Sequence, residues 1–325
     1  MTGSPRVALI GMMIAVVIAV ALAGCGGPGG TPPKYASQWN GQGDPAGALN
    51  YAEGLAIDPQ GKLLVADTWN DRILRYDADG KSLSAFGLHG HKDGELESPR
   101  AVTTDTRGNI YVADCWNHRI QKFSRDGKVH LTFGKKGGPW GDDEGDGLLL
   151  YPYSVAVDSQ GNMYVSDYNN NRLQKFNSRG KFVLKWGVEG RQDGQFNHPG
   201  ALVMDKQDRL WVADVANNRV QRFRFDRAGK PVFDGQWGKE GVEPGEFDRP
   251  YGLAVDKDGN FYVADFGNHR VQKFDARGRL QYLFDKYGSG DGELDSPMAL
   301  AVDDTGVLYV SDWGNNRLQK FLPAS

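Results

Sequence analysis

One six-residue pattern, Asp-x-x-Asn-x-Arg, occurs six times in this 325-residue chain, at intervals of 47 to 53 residues. The copies begin at Asp67, Asp114, Asp167, Asp214, Asp265 and Asp312. A second aspartate stands nine residues before each of them, and in the last five copies a proline stands six residues before that. Self-similarity at this period indicates a repeat architecture, in which each unit packs against its neighbours to bury a core.

The third copy shows the content of one repeat, which is four short runs rich in β-branched and aromatic residues, separated by turn residues. The runs cover 154–157, 163–166, 173–176 and 182–186. Runs of four or five residues are too short for helices and predict strands. Because runs such as Leu64–Ala66 are apolar on both faces, we expect a packed sheet on either side of them. The sequence therefore predicts an all-β fold.

The ends of the repeated region decide between an open stack and a ring. An aromatic residue precedes the proline position of each repeat, and Trp39 holds this place before the first one. The chain thus starts in the phase of a fourth strand and ends, at Phe321, in the phase of a third. An N-terminal strand that completes the last sheet closes the ring and removes exposed edges. We predict a six-bladed β-propeller over residues 37–322, with its last blade closed by the N-terminal strand.

The repeats resemble a known family. Gly108–Phe123, with the sequence Gly-Asn-Ile-Tyr-Val-Ala-Asp-Cys-Trp-Asn-His-Arg-Ile-Gln-Lys-Phe, looks like an NHL repeat, and the resemblance covers about residues 37–322. It implies the propeller fold, and together with the N-terminus it suggests a protein of the bacterial lipoprotein type. NHL propellers include RNA-binding domains, extracellular sensor domains, a zinc-dependent amidating lyase and exported bacterial proteins. Function must therefore be argued from the site itself.

The N-terminal sequence has the pattern of an export signal. Arg6 is followed by an apolar run from Val7 to Ala23, and Leu22-Ala23-Gly24-Cys25 resembles the lipobox of bacterial lipoproteins. We expect residues 1–24 to be removed as a signal peptide and Cys25 to be lipidated. An uncleaved anchor is the alternative, since a membrane span needs ~17–25 apolar residues. Either way, we expect the protein on the outer side of the bacterial cytoplasmic membrane or on the periplasmic face of the envelope.

Composition limits the partners. Residues 25–36 are rich in glycine and proline and predict a tether. With Cys25 lipidated, Cys115 is the remaining thiol, so we expect no intrachain disulfide. Since 38 basic residues face 41 acidic ones, no excess positive charge serves a phosphate backbone, and we expect no nucleic-acid partner. We expect a monomer.

The repeated aspartates and arginines form a ladder that could pass for a catalytic set. A charge pair present in every blade is more typical of a structural role, because each arginine can reach loop carboxylates and carbonyls. The asparagine suits the tight turn and tolerates a left-handed backbone. At the opposite ends of the strands, aspartates such as Asp58, followed by glycine at Gly61, predict turns.

Strand order places the Asp-x-x-Asn loops and the long loops before each proline on one face, which is the candidate binding face. Residues at its variable positions are often aromatic, and Tyr and Trp combine apolar area with a polar group that suits a protein, peptide or glycan. The alternative is that Trp69, Trp116 and Trp313 only cover neighbouring loops. The predicted binding residues are Trp69, Arg100, Trp116, Tyr153, Tyr168, Tyr251, Phe266 and Trp313.

A metal-dependent propeller enzyme of the lactonase or lyase type, with a site at the channel mouth near Glu53, is the rival interpretation. In the zinc-dependent lyase, the resemblance implies histidines directly after the proline of several blades, whereas Arg100 and Tyr153 stand at two of these places here. We expect the six histidines to be scattered on the surface, Cys115 to be a partly buried structural residue, and segment 142–146 to be a solvated loop, with calcium binding as its alternative. The sequence thus favours a lipid-anchored binding or scaffold module, with no catalytic residue, metal or cofactor assigned.

Overall fold

The computed structural model of the chain describes residues 30–137 and 145–324. These residues form six four-stranded antiparallel sheets arranged as the blades of a ring. Within these ranges, the helical segments are single 3-10 turns, and none is long or apolar enough to cross a bilayer. The predicted all-β, six-bladed β-propeller is confirmed.

In chain order the strands are β1 (Lys34–Trp39), β2 (Ala52–Ile57), β3 (Leu63–Asp67), β4 (Arg72–Tyr76), β5 (Ser82–Phe86), β6 (Pro99–Thr104), β7 (Ile110–Asp114), β8 (Arg119–Phe123), β9 (Val129–Phe133), β10 (Lys135–Lys136), β11 (Leu148–Leu149), β12 (Pro152–Val157), β13 (Met163–Asp167), β14 (Arg172–Phe176), β15 (Phe182–Trp186), β16 (Pro199–Met204), β17 (Leu210–Asp214), β18 (Arg219–Phe225), β19 (Pro231–Trp237), β20 (Pro250–Val255), β21 (Phe261–Asp265), β22 (Arg270–Phe274), β23 (Leu280–Phe284), β24 (Pro297–Val302), β25 (Leu308–Asp312) and β26 (Arg317–Leu322). The 3-10 turns are Thr68–Asn70, Tyr168–Asn170, Val215–Asn217, Phe266–Asn268 and Trp313–Asn315. Blades 1 to 5 are β2–β5, β6–β9, β12–β15, β16–β19 and β20–β23, and blade 6 is β24–β26 with β1. Strands β10 and β11 form a separate parallel pair.

The N-terminal strand closes the ring as predicted. Strand β1 pairs antiparallel with β26, with Trp39 opposite Leu318 and Tyr35 opposite Phe321. The strand begins at Lys34, three residues before the expected domain start at residue 37. The reason is that Tyr35 packs edge-on against Phe321, at a ring distance of 6.2 Å, which draws the end of the predicted tether into the sheet.

The core consists of six layers, each between two neighbouring blades. The second strand of every blade is buried along its whole length, as the doubly apolar runs predict. Between blades 1 and 6, for example, Leu63 and Val65 pack with Tyr309 and Leu318. Such packing removes both faces of a strand from water, which contributes about 1.5–3 kcal/mol for each fully buried large apolar side chain.

The first strand of each blade lines a central channel, which contains a cavity of about 240 Å³. Neighbouring blades are also joined by hydrogen bonds near the surface. In all six places, the residue before the proline position donates its backbone N–H to a side-chain oxygen or a histidine Nδ1. The acceptor belongs to the residue before the motif arginine of the preceding blade. It is this fifth motif position, rather than the motif asparagine, that adopts the left-handed backbone, with φ between 49° and 54°.

Candidate functional site

The Asp-x-x-Asn loops and the loops before each proline position lie on one face of the propeller, here called the rim. At blade 2, the buried Asp114 carboxylate accepts hydrogen bonds from the Glu97 backbone N–H at 2.8 Å and from Arg119 Nε at 2.6 Å. Both contacts recur in all six blades. A buried charge is tolerated when it is paired and hydrogen-bonded. The ladder is therefore structural, because it fastens each long loop to its blade.

Six residues meet where the channel reaches the rim, and this end is called the mouth. Each is the residue after the proline position, at the start of a first strand. The mouth residues are Glu53, Arg100, Tyr153, Gly200, Tyr251 and Met298. All of them except Gly200 have side chains, and these side chains narrow the end of the channel.

Tyr153 crosses the mouth. Its hydroxyl lies 3.5 Å from the Met298 sulfur, although the two residues belong to blades 3 and 6, which are opposite each other in the ring. Its ring stacks with that of Tyr168 at 5.5 Å and with that of Tyr251 at 5.8 Å. Tyr153 is only 3% exposed, so it forms the floor of the mouth, whereas the sequence placed it among the rim's ligand contacts. Burial raises the pKa of its hydroxyl well above the usual value.

Aromatic rings form a continuous chain around most of the mouth. Consecutive ring centroids lie 4.8 to 5.9 Å apart. The chain runs through Trp69, Tyr51, Trp313, Phe266, Tyr251, Tyr153, Tyr168 and His198. The structure thus brings together most of the predicted binding residues. The sequence reasoning missed Tyr51, Tyr151 and His198, although the position before the proline position is aromatic or histidine in these three copies.

Among the described residues, two tryptophans project from the rim. Trp69 is 62% exposed and Trp116 is 54% exposed, and each touches a tyrosine with only one side. Trp313 differs, because it lies half-buried between Tyr51 and Phe266, at 4.8 and 5.9 Å. The rim loops also expose Leu88, Val188, Val242 and Tyr287. Exposed apolar side chains grouped on one face are typical of a contact surface. Trp313, in contrast, has the covering role that the alternative interpretation assigned to all three.

An ion pair lies beside Tyr153. Arg100 Nε is 3.6 Å from Glu53 Oε2, and the guanidinium carbon is 5.4 Å from the Tyr153 ring centroid. Glu53 is 7% exposed, and its Oε2 has no hydrogen-bond partner among the described residues. Burial raises the pKa of the Glu53 carboxyl, and the Arg100 charge opposes this shift only in part. The guanidinium faces the carboxylate that a metal ion would need, so the local field disfavours a second cation there.

The other candidates for chemistry have structural positions. In residues 30–137 and 145–324, no three His, Cys, Asp or Glu side chains are grouped to hold a metal ion. Cys115 is buried, which raises the pKa of its thiol to about 12 and leaves the thiolate scarce at neutral pH. The expectation of surface histidines is wrong for His118, which is buried. Its ring lies 4.5 Å from that of Tyr151, and its Nδ1 accepts the Tyr151 backbone N–H at 3.1 Å.

Two predicted features lie outside the described residues. They are the N-terminal segment, with the signal peptide of residues 1–24, the lipidation site Cys25 and the tether up to residue 29, and most of the acidic segment 142–146. Of the acidic segment, Gly145 and Asp146 are described, and the Asp146 carboxylate lies 3.3 Å from Lys185 Nζ.

Comparison with known proteins agrees with the repeat pattern. The sequence model of the NHL repeat matches residues 49–76, 96–123, 149–176, 196–223, 247–274 and 294–321, together just over half of the chain. Among curated proteins, Protein brain tumor of Drosophila melanogaster is 39% identical over 59 residues, which are 18% of this chain and 6% of that protein. The chain thus spans a small part of this relative.

Solved propellers share the architecture at low sequence identity. A gluconolactonase, XC5397 from Xanthomonas campestris, is 15% identical with a TM-score of 0.64, over 94% of this chain and 99% of that one. Virginiamycin B lyase from Staphylococcus aureus is 13% identical with a TM-score of 0.62, over 89% of this chain and 99% of that one. At these identities the likeness supports the fold.

Proposed function

The chain belongs to the NHL repeat family, and from this premise we propose that it is a lipid-anchored, extracytoplasmic binding module that recognises a protein, peptide or glycan through the rim. The observation that carries the proposal is the chain of rings around the mouth, with Trp69 and Trp116 left largely uncovered by their own loops. Tryptophan and tyrosine supply much of the binding energy at contact surfaces because they bury a large area at little entropic cost.

The mouth adds a polar centre to this apolar surface. The side chain of Arg100 is 30% exposed, while its Nε is buried and faces the Glu53 carboxylate at 3.6 Å. Since Glu53 balances its charge, the centre is close to neutral and suits a ligand that brings hydrogen-bond acceptors rather than a high net charge. This agrees with a protein, peptide or glycan ligand better than with a nucleic acid.

The anchor and the location are part of the proposal. The lipobox-like sequence before Cys25 supports lipidation, and the glycine- and proline-rich residues after it support a link to the propeller. We place the mature protein, as a monomer, on the outer side of the cytoplasmic membrane or on the periplasmic face of the envelope. Replacing Cys25 with serine should release the protein from the membrane fraction.

A metal-dependent enzyme is the second candidate, and Glu53 at the mouth is the observation that favours it. Two solved propellers of the same architecture are named as a lyase and a gluconolactonase. Against this stands the neighbour of Glu53, because Arg100 supplies a positive charge where a metal would need further carboxylates or histidines. The binding module therefore has the stronger support.

A defined array of peptides and glycans tests the proposal. We expect the mature protein to retain selected probes, and the double variant Trp69→Ala/Trp116→Ala to lose at least tenfold in affinity while its circular dichroism spectrum is unchanged. Val183→Ala is the matched control, since Val183 is exposed on strand β15 away from the rim. Equal affinity of the double variant and the control would refute the rim as the binding face.

A metal assay separates the two candidates. Stoichiometric calcium or zinc in the purified protein, together with lactonase or lyase activity that chelation removes and Glu53→Gln abolishes, would favour the enzyme. We expect neither bound metal nor such activity, and we expect probe binding to persist in chelator.

A further inference from the structure

We infer that the rim faces away from the anchoring membrane and that the opposite face, at the border of blades 5 and 6, is the membrane-proximal surface. The inference rests on the proposed lipid anchor at Cys25. It adds the orientation of the site, and it restricts the partner to molecules that approach from the far side of the protein. The face opposite the rim is here called the base.

The direction of β1 gives the first step. In β1, Trp39 pairs with Leu318, which follows the rim motif of blade 6, whereas Lys34 pairs with Leu322 near the C-terminus. The turn before β25 lies at the base, because β25 begins there at Leu308 and ends at the rim with Asp312. Lys34 and Leu322 lie at the same end of the blade. The chain therefore enters the propeller at the base and runs toward the rim.

The residues before β1 are held to the base. The Gly30 backbone N–H donates a 3.1 Å hydrogen bond to the Gln281 carbonyl oxygen, one residue into β23 from its base end. A Cβ atom on Gly30 would stand 2.9 Å from that oxygen, so the chain lies close against the strand. Thr31 lines a cleft with base turns of blades 5 and 6, among them Asp258 and Asp304. The point where the tether leaves the propeller is thus at the border of blades 5 and 6.

The length of the tether decides the orientation. Five residue steps separate Cys25 from Gly30, and a fully extended chain of that length reaches about 17 Å. Gly30 is bonded one residue from the base end of β23, whereas three residue steps, about 10 Å of strand, and the whole loop 285–296 separate it from the rim. The tether therefore reaches the base with slack but would reach the rim only if it were stretched along the side of the blade, which makes the base the favoured membrane-facing side.

The inference removes one interpretation of the exposed tryptophans. Tryptophan is common at membrane interfaces, so Trp69 and Trp116 by themselves are compatible with insertion of the rim into the lipid headgroups. Anchored at the base, these rings point toward the space beyond the membrane. Their partner is then a soluble molecule or a molecule of another envelope layer that faces the rim. The lipids of the anchoring bilayer are excluded as the partner.

Lipid-quenching measurements on the full-length lipidated protein in vesicles test the orientation. A fluorescent label is attached to Ala276→Cys at the base, or to Leu88→Cys on the rim, in a Cys115→Ala background, and the vesicles contain lipids with spin-labelled headgroups. Both positions are exposed. We expect at least threefold stronger quenching at position 276. Equal quenching, or stronger quenching at position 88, would overturn the inference.

Two controls separate this test from the proposed anchor. In the Cys25→Ser variant, both labels should lose quenching. If the protein with Cys25 intact fails to bind vesicles, both the proposed anchor and the proposed orientation are refuted. If the protein binds vesicles but the label at position 88 is quenched as strongly as the label at position 276, or more strongly, only the proposed orientation is refuted. Twenty Gly/Ser residues inserted between Gly27 and Pro28 add a root-mean-square reach of about 25 Å, so the difference between the two labels should shrink.

Discussion

The backbone N–H of Tyr51 donates a 2.8 Å hydrogen bond to Oδ1 of Asn316, which stands 265 residues later in the chain. The contact joins blade 1 to blade 6 and repeats, at the point of closure, the bond that links every other pair of neighbouring blades. The ring thus closes with the same interface that it uses internally. Its stability then depends on keeping the last blade complete.

Trp39→Ala should weaken the closure. The Trp39 ring lies 6.1 Å from the ring of Tyr76 in blade 1 and 6.2 Å from that of Tyr309 in blade 6. Because the side chain is only partly buried, we expect a loss of about 2–3 kcal/mol, below the usual cost of truncating a fully buried tryptophan. Urea unfolding followed by far-UV circular dichroism measures it. Leu83→Ala, at an exposed position of β5, should cost less than about 0.5 kcal/mol, and an equal loss in both variants would contradict the role of Trp39.

Acid should destabilise the propeller through His118. Burial lowers the pKa of this histidine to about 4, while its Nδ1 accepts the Tyr151 N–H and so requires the neutral ring. The unfolded chain, with an ordinary histidine pKa of about 6.5, binds the proton more readily between pH 6.5 and 4. Stability is therefore full above pH 6.5 and falls as the pH drops toward 4, by about 2 kcal/mol between pH 7.5 and 5.

His118→Asn is the matched variant for this effect. Asn171 stands at the same position of the next blade, and its Oδ1 accepts the equivalent N–H at 2.8 Å. The variant should keep the hydrogen bond and lose this part of the acid sensitivity. Urea unfolding at pH 7.5 and 5 compares the two proteins, and identical pH dependence would show that His118 does not titrate in this way.

Cys115 should be unreactive in the native protein. The thiol is buried and its pKa is raised to about 12, so little thiolate forms at pH 8. In a Cys25→Ser background, a thiol reagent such as dithiobis(nitrobenzoate) should label no cysteine in buffer and one in 6 M urea. Rapid labelling of the native protein would place the thiol at an accessible site and reopen its use as a nucleophile.

Arg100→Met should destabilise the mouth at neutral pH. The change leaves the Glu53 carboxylate buried without its counter-charge, and we expect a loss of about 2 kcal/mol, less than for a fully buried pair because Arg100 is partly exposed. Burial already raises the pKa of Glu53, so the folded state takes up the proton more readily than the unfolded chain. The loss should therefore shrink as the pH falls from 7 to 5.

The double variant Glu53→Leu/Arg100→Met tests the origin of that loss. Removing both charges eliminates the uncompensated carboxylate, so the double variant should be more stable than Arg100→Met at pH 7. Urea unfolding of the wild type, Glu53→Leu, Arg100→Met and the double variant completes the cycle. Equal stability of the single and double variants would mean that Glu53 is solvated or protonated in the folded protein.

Repetition explains how much of the fold the sequence revealed. The second strands, the aspartate ladder and the pairing of Trp39 with the last blade were all predictable, because each follows from a pattern that recurs at the same place in every copy. The strand start at Lys34 was missed because Tyr35 stands next to a glycine- and proline-rich segment, and its packing partner Phe321 is remote in the chain.

The site was only partly predictable. Strand order placed Trp69 and Trp116 on one face, and the structure leaves them exposed there. Strand order could not predict that Tyr153 reaches across the channel to Met298. Residues at the same repeat position look equivalent in the sequence, and the pattern does not say which side chain crosses the channel axis. The burial of His118 was missed for a similar reason, since its partner Tyr151 comes from the next blade.

The sequence by itself determined the number of blades, the strand order and the face on which the variable loops lie, because these depend on periodicity and on local turn chemistry. Only the tertiary structure decided which mouth residues are open and which are closed off, and which pairs of charges meet. Those outcomes depend on side-chain lengths and on contacts across the ring between residues such as Tyr153 and Met298, about 145 positions apart. Such contacts exist only after closure has fixed the distance across the channel.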